Sequence, residues 1–401
     1  MNNRISEKIR YVGVNDHTKV IFEGLWPLPF GVSYNSYLVI GEKIALVDTV
    51  EAGFEKEYLS NIKAEIGDRK IDYLVVNHME PDHSSLIAFM REQYPEIRII
   101  TSAKAVPMIK GYHGVTDNVY AVKEGEEISL GGATLRFYMA PMVHWPETMV
   151  TYLAEEKTLF SGDAFGTFGA LDGGVTDSQA HMCGWLDKAE NCFEEFKDEM
   201  TRYYSNIVGK YGQTVQAALK KLSGLEISRI CSTHGPVWET HIPDVVGYYD
   251  RLSKYEAEKG VCIVYCSMYG NTAKAAKALA AELASRGVKY AIHNLCTENL
   301  SYAYRDLFKY DTLAVGAPTY NNDIFPPAYT FMYGVGARLV KNKKFFAFGS
   351  YTWAGVSVKL LNEMAEKQGF SLISGGQSFA QAYSEQKCDM AAVADLMAAA
   401  E

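Results

Sequence analysis

The segment His78-Met79-Glu80-Pro81-Asp82-His83 places four groups able to ligate a metal within six residues. It follows the apolar run Asp72-Tyr73-Leu74-Val75-Val76-Asn77, so it stands where a buried strand gives way to a loop. In extended backbone, side chains two positions apart point the same way. His78 and Glu80 can therefore converge on one ion, while Asp82 and His83, entering the next turn, face a second. The pattern recurs at the ends of later strand-like runs. His144 follows Leu135-Arg136-Phe137-Tyr138-Met139-Ala140, Asp163 follows Thr158-Leu159-Phe160-Ser161-Gly162, and His234 follows Arg229-Ile230-Cys231-Ser232-Thr233. Four imidazoles and three carboxylates gathered in this way predict a two-metal centre.

Charge arithmetic narrows the metal. Two divalent ions carry about four positive charges, which three carboxylates and one oxo or hydroxo bridge bring close to zero. A His-rich set suits zinc, whereas added hard oxygen donors suit iron and tolerate its ferric state. Asp163 is the natural bridge, since one carboxylate can offer an oxygen to each metal. Glu147, just beyond His144-Trp145-Pro146, is a candidate partner for a ligating imidazole. His17, His113, His181 and His293 lack ligand-like company and read as surface or core residues. His241 lies near His234 but past Pro236 and Trp238, and has a lesser claim to a supporting role.

A second constellation is Val264-Tyr265-Cys266-Ser267-Met268-Tyr269-Gly270-Asn271-Thr272, which leads from a strand into a helix. Hydroxyls and backbone N–H groups at a helix N-terminus form an anion site. Neither Gly-Lys-Ser/Thr nor Gly-x-Gly-x-x-Gly is present. Gly316-Ala317-Pro318-Thr319-Tyr320-Asn321-Asn322 and Gly349-Ser350-Tyr351-Thr352-Trp353-Ala354-Gly355 follow two further strands, at the carboxyl ends where doubly wound sheets take ligands. Tyr320, Tyr351 and Trp353 are expected to flank a planar ring.

Two kinds of scaffold are needed to position these groups. Residues 1 to about 245 mix short strands (Lys19–Phe22, Tyr37–Ile40, Ile44–Val47, Tyr73–Val76, Ile97–Thr101, Leu135–Met139) with helices at Glu55–Ile66 and Ser84–Tyr94. The stretch from about Ala180 to Tyr211 reads as a long, mostly helical segment. This is the pattern of an αββα sandwich of mixed sheets. Residues 260–401 alternate strictly: strand Val261–Cys266, helix Thr272–Arg286, strand Tyr290–Leu295, strand Leu313–Val315, helix Ala328–Arg338, strand Phe345–Phe348 and helix Ser357–Gln368. That is a doubly wound parallel sheet. The charged segment Asp244–Lys259 is expected to be a hinge helix, giving domains at 1–245 and 260–401 joined by 246–259.

With 401 residues, 48% hydrophobic and 22% charged, the chain has the composition of a globular protein of two or three domains. No N-terminal apolar region reads as a secretory signal, and no apolar run is long enough to span a membrane. Seven cysteines without a Cys-x-x-Cys point to thiols in a reducing cytoplasm. A net charge of −9 argues against nucleic acid and anionic membrane as partners.

The ligand set resembles the metallo-β-lactamase superfamily, whose usual signature is His-x-His-x-Asp-His, except that Glu80 takes the place of the second histidine. The loop at 264–272 resembles the flavodoxin phosphate loop, in which hydrogen-bond donors hold the phosphate of FMN. The two together, over nearly the whole chain, resemble the flavodiiron proteins (A-type flavoproteins). That resemblance implies a metallo-β-lactamase-like domain followed by a flavodoxin-like domain, a non-haem diiron centre and FMN. It also implies reduction of dioxygen to water, of nitric oxide to nitrous oxide, or both. By the family pattern His78, Glu80, His144 and Asp163 hold one iron, and Asp82, His83, Asp163 and His234 the other, His83 being a ligand that the family does not always bind.

The resemblance further implies a head-to-tail homodimer, alone or as a dimer of dimers, that sets the FMN of one subunit beside the diiron site of the other. With no Cys₄ knuckle in the chain, its electron donor would be a separate rubredoxin-like protein or a reduced flavin or deazaflavin cofactor. Dioxygen needs four electrons, two from the irons and two from the flavin; two nitric oxides need two. The apolar run Leu25-Trp26-Pro27-Leu28-Pro29-Phe30-Gly31 with Tyr34 is a candidate gas-pocket lining, with ordinary core packing its equal alternative. Two rival readings stand beside this one. A zinc-dependent hydrolase of glyoxalase type leaves the second domain idle and Glu80 unexplained, and a non-enzymatic FMN electron carrier or gas sensor leaves a complete ligand set without use.

Overall fold

The computed structural model describes residues 3–184 and 190–399. The chain divides into two compact units, one of residues 1–204 with 213–250 and the other of 205–212 with 251–401.

The first unit is built on two sheets. One has the sequential order β1 (Ile9–Tyr11), β2 (Tyr37–Ile40), β3 (Ile44–Val47), β4 (Tyr73–Val75), β5 (Arg98–Ser102), β6 (Val119–Val122). Its first pairings are antiparallel, and those from β3 onward are parallel. The parallel steps are crossed by α1 (Glu55–Ile66), by α2 (Pro81–Ser84) with α3 (Ile87–Gln93), and by α4 (Ala105–His113). α1 shows why it packs: Tyr58, Ile62 and Ile66, four residues apart, form its buried stripe.

The other sheet has the order β7 (Glu127–Ser129), β8 (Thr134–Met139), β9 (Met149–Leu153), β10 (Thr158–Gly162), β11 (Arg229–Ser232), with a parallel pair only at β10–β11. Every residue of β9 and β10 is buried, as a strand covered on both faces requires. The sheets meet face to face. The Tyr37 ring of β2 lies 5.5 Å from the Phe160 ring of β10, and its hydroxyl donates to the Ser232 carbonyl of β11 at 2.6 Å.

The remaining helices of this unit are α5 (Cys192–Tyr203), α6 (Gly212–Leu222) and α7 (Ile242–Ser253). The expected helix over 180–211 is therefore shorter. His181–Met182 pairs with Leu171–Asp172 as a small ribbon, and α5 starts at Cys192, where the Asn191 side chain caps it by accepting from the Glu194 N–H at 3.0 Å. The part of that expectation at 185–189 lies outside the described residues. The expected helix Ser84–Tyr94 is also corrected, since a separate turn at Pro81–Ser84 precedes α3. Pro81, with its fixed φ, starts that turn.

The second unit is a parallel sheet of order β13 (Tyr290–Asn294), β12 (Glu258–Tyr265), β14 (Tyr310–Gly316), β15 (Lys344–Tyr351), β16 (Ser371–Leu372), with β17 (Gln377–Ala380) also on β15. This is the 2-1-3-4-5 doubly wound order. Its helices are α8 (Asn271–Ser285), α9 (Leu300–Lys309), α10 (Pro326–Ala337), α11 (Ser357–Lys367) and α12 (Met390–Ala399). The hinge helix expected over 244–259 is not one element: α7 ends at Ser253, Tyr255 turns the chain with φ 57°, and β12 begins at Glu258. All seven cysteines are free thiols. Among the described residues, no helix is long and apolar enough to cross a membrane.

Candidate metal centre

Seven side chains converge at one end of the sandwich. The carboxyl end of β4 delivers His78 and Glu80, and α2 adds Asp82 and His83. The β8–β9 turn gives His144, and the ends of β10 and β11 give Asp163 and His234. All seven are buried.

Their donor atoms fall into two groups. In the first, His78 Nε2 and His144 Nε2 are 3.3 Å apart. Glu80 Oε2 lies 3.0 Å from His144 Nε2 and 3.7 Å from His78 Nε2. Asp163 Oδ2 lies 3.1 and 3.4 Å from the same two nitrogens. In the second, His83 Nε2 is 3.5 Å from Asp82 Oδ1 and 3.3 Å from Asp163 Oδ1. His234 Nε2 is 3.1 Å from Asp82 Oδ2 and 3.7 Å from Asp163 Oδ1. Asp163 thus turns one oxygen to each group.

These spacings test the fit to metal. Donors held about 2.1 Å from one ion stand roughly 3.0–3.4 Å apart at octahedral or tetrahedral angles. The orphaned atoms point the same way. Both oxygens of Asp82, both ring nitrogens of His83 and Nε2 of His234 are buried without a hydrogen-bond partner among the described residues. His234 Nε2 and Asp82 Oδ2 are close yet not aligned to bond each other, as two donors aimed at one ion between them would be. Uncompensated burial of these groups is costly, and a cation removes the cost.

The free chain shows the same pull electrostatically. Burial opposes the charge of Asp163, but His83, His144 and His78 outweigh it and hold the carboxyl well below its ordinary range. Burial likewise opposes the charge on Glu80, which His144 and His78 nevertheless hold low. Burial disfavours the His83 imidazolium, yet Asp82 and Asp163 push its pKa up to about 10. Metal binding must displace such protons, so it is linked to their release.

The surrounding residues fix the imidazoles. His78 Nδ1 is 2.6 Å from Glu147 Oε1, which also accepts the Met79 N–H at 2.9 Å. His234 Nδ1 faces the Ser33 carbonyl at 2.7 Å, and Thr233 Oγ1 donates to Asp163 Oδ1 at 2.5 Å. Asp48 accepts from Asn77 N and Nδ2 at 2.8 and 3.0 Å, bracing the strand end before His78. Tyr203 packs its ring 5.5 Å from that of His234. Burial, then the charges of Asp163, Glu80 and Asp82, keep its hydroxyl protonated. Glu23 stands on the hairpin of Ile21–Phe22 and Trp26–Pro27 and accepts from Trp26 Nε1 at 2.9 Å. Burial and the neighbouring Glu80 push its pKa up to about 7. Of these, only Glu147 is visible in the sequence as a candidate; Ser33, Thr233, Asp48, Tyr203 and Glu23 carry no local signal. His241 pairs with Asp244 at 3.2 Å, and His181 with Glu195 at 3.1 Å.

In the second unit a cleft of about 110 Å³ is lined by Ser267, Met268, Tyr269, Asn271, Pro318, Thr319, Ser350 and Tyr351, together with Thr352 of the same expected loop and Gln381, which sequence reasoning missed. Gly270 holds φ 86° immediately before α8, a left-handed conformation that glycine adopts freely. Thr272 is buried, and its Oγ1 lies 2.9 Å from Ser350 Oγ, tying two loops together. A Cβ at Gly355 would stand 2.6 Å from the Tyr351 ring, so that glycine makes room for the aromatic. Tyr320, with Asn321 after it, and Trp353 are not in the lining; Tyr320 packs on Phe325, and Trp353 is 86% exposed. The sequence orders the loops but does not fix the rotamers of their aromatic side chains. Hydroxyls, amides and a helix N-terminus, with no Lys or Arg in the lining, suit a phosphate held by dipoles.

Comparison with known proteins agrees with the fold of both units. The profile of the ODP family beta lactamase matches residues 32–235, and that of flavodoxin matches 263–399. The anaerobic nitric oxide reductase flavorubredoxin of Aeromonas hydrophila is 31% identical over 93% of this chain and 74% of its own. The structure of rubredoxin oxygen:oxidoreductase from Desulfovibrio gigas superposes with a TM-score of 0.90 at 29% identity, covering 98% of this chain and 97% of that one. The flavodiiron protein of Giardia intestinalis gives 0.89 at 27% identity, covering 99% and 96%.

Proposed function

The chain belongs to the flavodiiron protein family, and from that premise we propose that it reduces dioxygen to water, nitric oxide to nitrous oxide, or both. The carrying observation is Asp163, whose two oxygens face two separate donor groups. His78, Glu80, His144 and Asp163 would hold one iron, and Asp82, His83, Asp163 and His234 the other. FMN would bind in the cleft that α8 heads, its phosphate against Ser267, Asn271 and the helix N-terminus. When bound, the irons supply Lewis acidity and electron exchange, and FMN a two-electron reserve.

The chain's own residues do the rest. Glu147 and the Ser33 carbonyl hold Nδ1 of His78 and His234, so each offers Nε2 to metal. Tyr203 Oη keeps its proton beside the cluster and is a neutral donor. Dioxygen consumes four electrons and four protons to give two waters; two nitric oxides consume two of each to give nitrous oxide and one water. Electrons would come from a separate rubredoxin-like protein or a reduced flavin cofactor. The working form would be a head-to-tail homodimer in the cytoplasm.

The test begins with metal and flavin analysis, expected to give two irons and one FMN per chain. Anaerobic reduction followed by separate stopped-flow mixing with each gas then reads reoxidation directly. Asp163→Asn should lower bound iron and turnover while FMN stays, because the two pockets lie in different units. Full iron content and turnover in that variant would overturn the bridging role.

A further inference from the structure

The lactamase-type unit contains a small, partly open cavity of about 20 Å³. Its wall includes Val143 and Ala164, the chain neighbours of His144 and Asp163, together with Phe165, Ala218 and Tyr249. The wall is almost wholly apolar. The Ser161 hydroxyl is turned to the Ala164 carbonyl at 2.7 Å. The volume is slightly more than the roughly 10–15 Å³ that one water-sized molecule needs, and an apolar cavity of this kind stays dry.

The cavity is not isolated. A groove of about 670 Å³ opens between α6 and α7, beside the buried faces of β10 and β11, and Leu159, Phe165, Leu219 and Leu222 line both spaces. The two spaces therefore adjoin, with those side chains as their shared wall. The groove is itself mainly aliphatic, through Leu225, Ile227, Ile230, Ile242 and Val246. Phe165 is the notable member of the shared wall. It holds φ 67°, a costly conformation for a bulky residue, and its ring lies 4.7 Å from that of Tyr249.

We propose that the groove and cavity form an access route for a small neutral gas, with a resting site behind Ala164 and Phe165 as the gate. The proposal rests on the reading of the chain as a gas reductase. Its physical basis is selectivity. A neutral diatomic molecule gives up little on leaving water, whereas an ion or a water loses hydrogen bonds that this wall cannot replace. The route would bring dioxygen or nitric oxide to the backbone that carries two of the ligands while keeping bulk water out. It differs from the segment 25–31, which the sequence offers as a lining and which supplies no wall residue to either space.

Xenon, an apolar atom of similar size, tests the route independently of turnover. Crystals of the holoprotein under xenon pressure should show an anomalous peak between Phe165 and Ala218. Ala218→Phe should fill the cavity, abolish that peak and slow oxidation of the reduced enzyme by each gas several-fold, with iron, FMN and flavin reduction unchanged. Leu219→Ala, which thins the shared wall, should keep the peak and react at least as fast as the unaltered protein; it also serves if Ala218→Phe does not fold. Absence of xenon from the unaltered protein overturns the proposal, as does loss of the peak without any change in gas rates. A protein that takes up xenon but reduces neither gas would overturn the reductase reading and the route's purpose, and leave only a gas-binding cavity.

Discussion

An imidazole is a dependable ligand only when its second nitrogen is held, and the centre treats its histidines unequally. His78 is held by Glu147 and His234 by Ser33, whereas His83 Nδ1 has no hydrogen-bond partner among the described residues. His78 should therefore be sensitive to its carboxylate. Glu147→Ala is expected to weaken metal binding about 10–100-fold, read as iron lost on dialysis against a graded chelator, with FMN retained. Unchanged retention of both irons would show that Glu147 does not position His78. The ligands themselves were legible because each follows a strand-like run, and strand periodicity dictates where a side chain points. Glu147 was legible as a near neighbour of His144. Ser33 and Asp48 were not, because they reach the cluster from strands far away in sequence, and a serine or aspartate beside a strand has many commoner uses.

At the scale of elements, the sequence identified the alternation of the second unit from hydrophobic runs and glycine-rich loops, yet it placed no helix between Tyr290–Leu295 and Leu313. That helix, α9, also explains why His293 looked solitary. On β13, His293 sits between Glu298 Oε2 at 2.9 Å and Asp306 Oδ2 at 2.8 Å, with Asp306 on α9 and paired to Arg305. Burial disfavours its charge, but the two carboxylates outweigh burial and raise its pKa; Asp306 is held low in turn. A raised imidazole stabilises the fold below its unfolded value near 6.5, and that contribution is lost as pH rises through the folded value. His293→Gln should therefore destabilise by about 1–3 kcal/mol near pH 6, and less in alkaline solution, as denaturant melts at the two pH values would record. An equal loss at both would rule out the ion pair as the source. At α8, replacing Asn271 and Thr272 with Ala removes the Asn271 amide from the cleft lining and the Thr272 tie to Ser350. FMN affinity should fall by on the order of 3 kcal/mol, roughly a hundredfold in Kd, with iron unchanged. Full flavin retention after dilution and gel filtration would place the phosphate elsewhere.

For the whole molecule, the question is whether FMN reduces the diiron site of its own chain or of a partner, and the proposed head-to-tail dimer answers it in a testable way. A metal-dead variant (His78→Ala with Asp163→Ala) and an FMN-dead variant (Asn271→Ala with Thr272→Ala) are each expected to be inactive as homodimers. In a mixed dimer with electron transfer across subunits, one pairing unites an intact flavin with an intact metal site, and the other unites two damaged ones. Random exchange makes about half of the dimers mixed, each with one working pairing of two, so recovered activity should approach roughly a quarter of the unaltered level. Differential tags on the two variants establish that exchange has taken place and allow the mixed species to be isolated. Isolated mixed dimers should then show about half of full activity, since concentration no longer dilutes them with dead homodimers. If they stay inactive, each flavin serves its own chain. The head-to-tail arrangement would then be wrong for this protein, even with both cofactors bound.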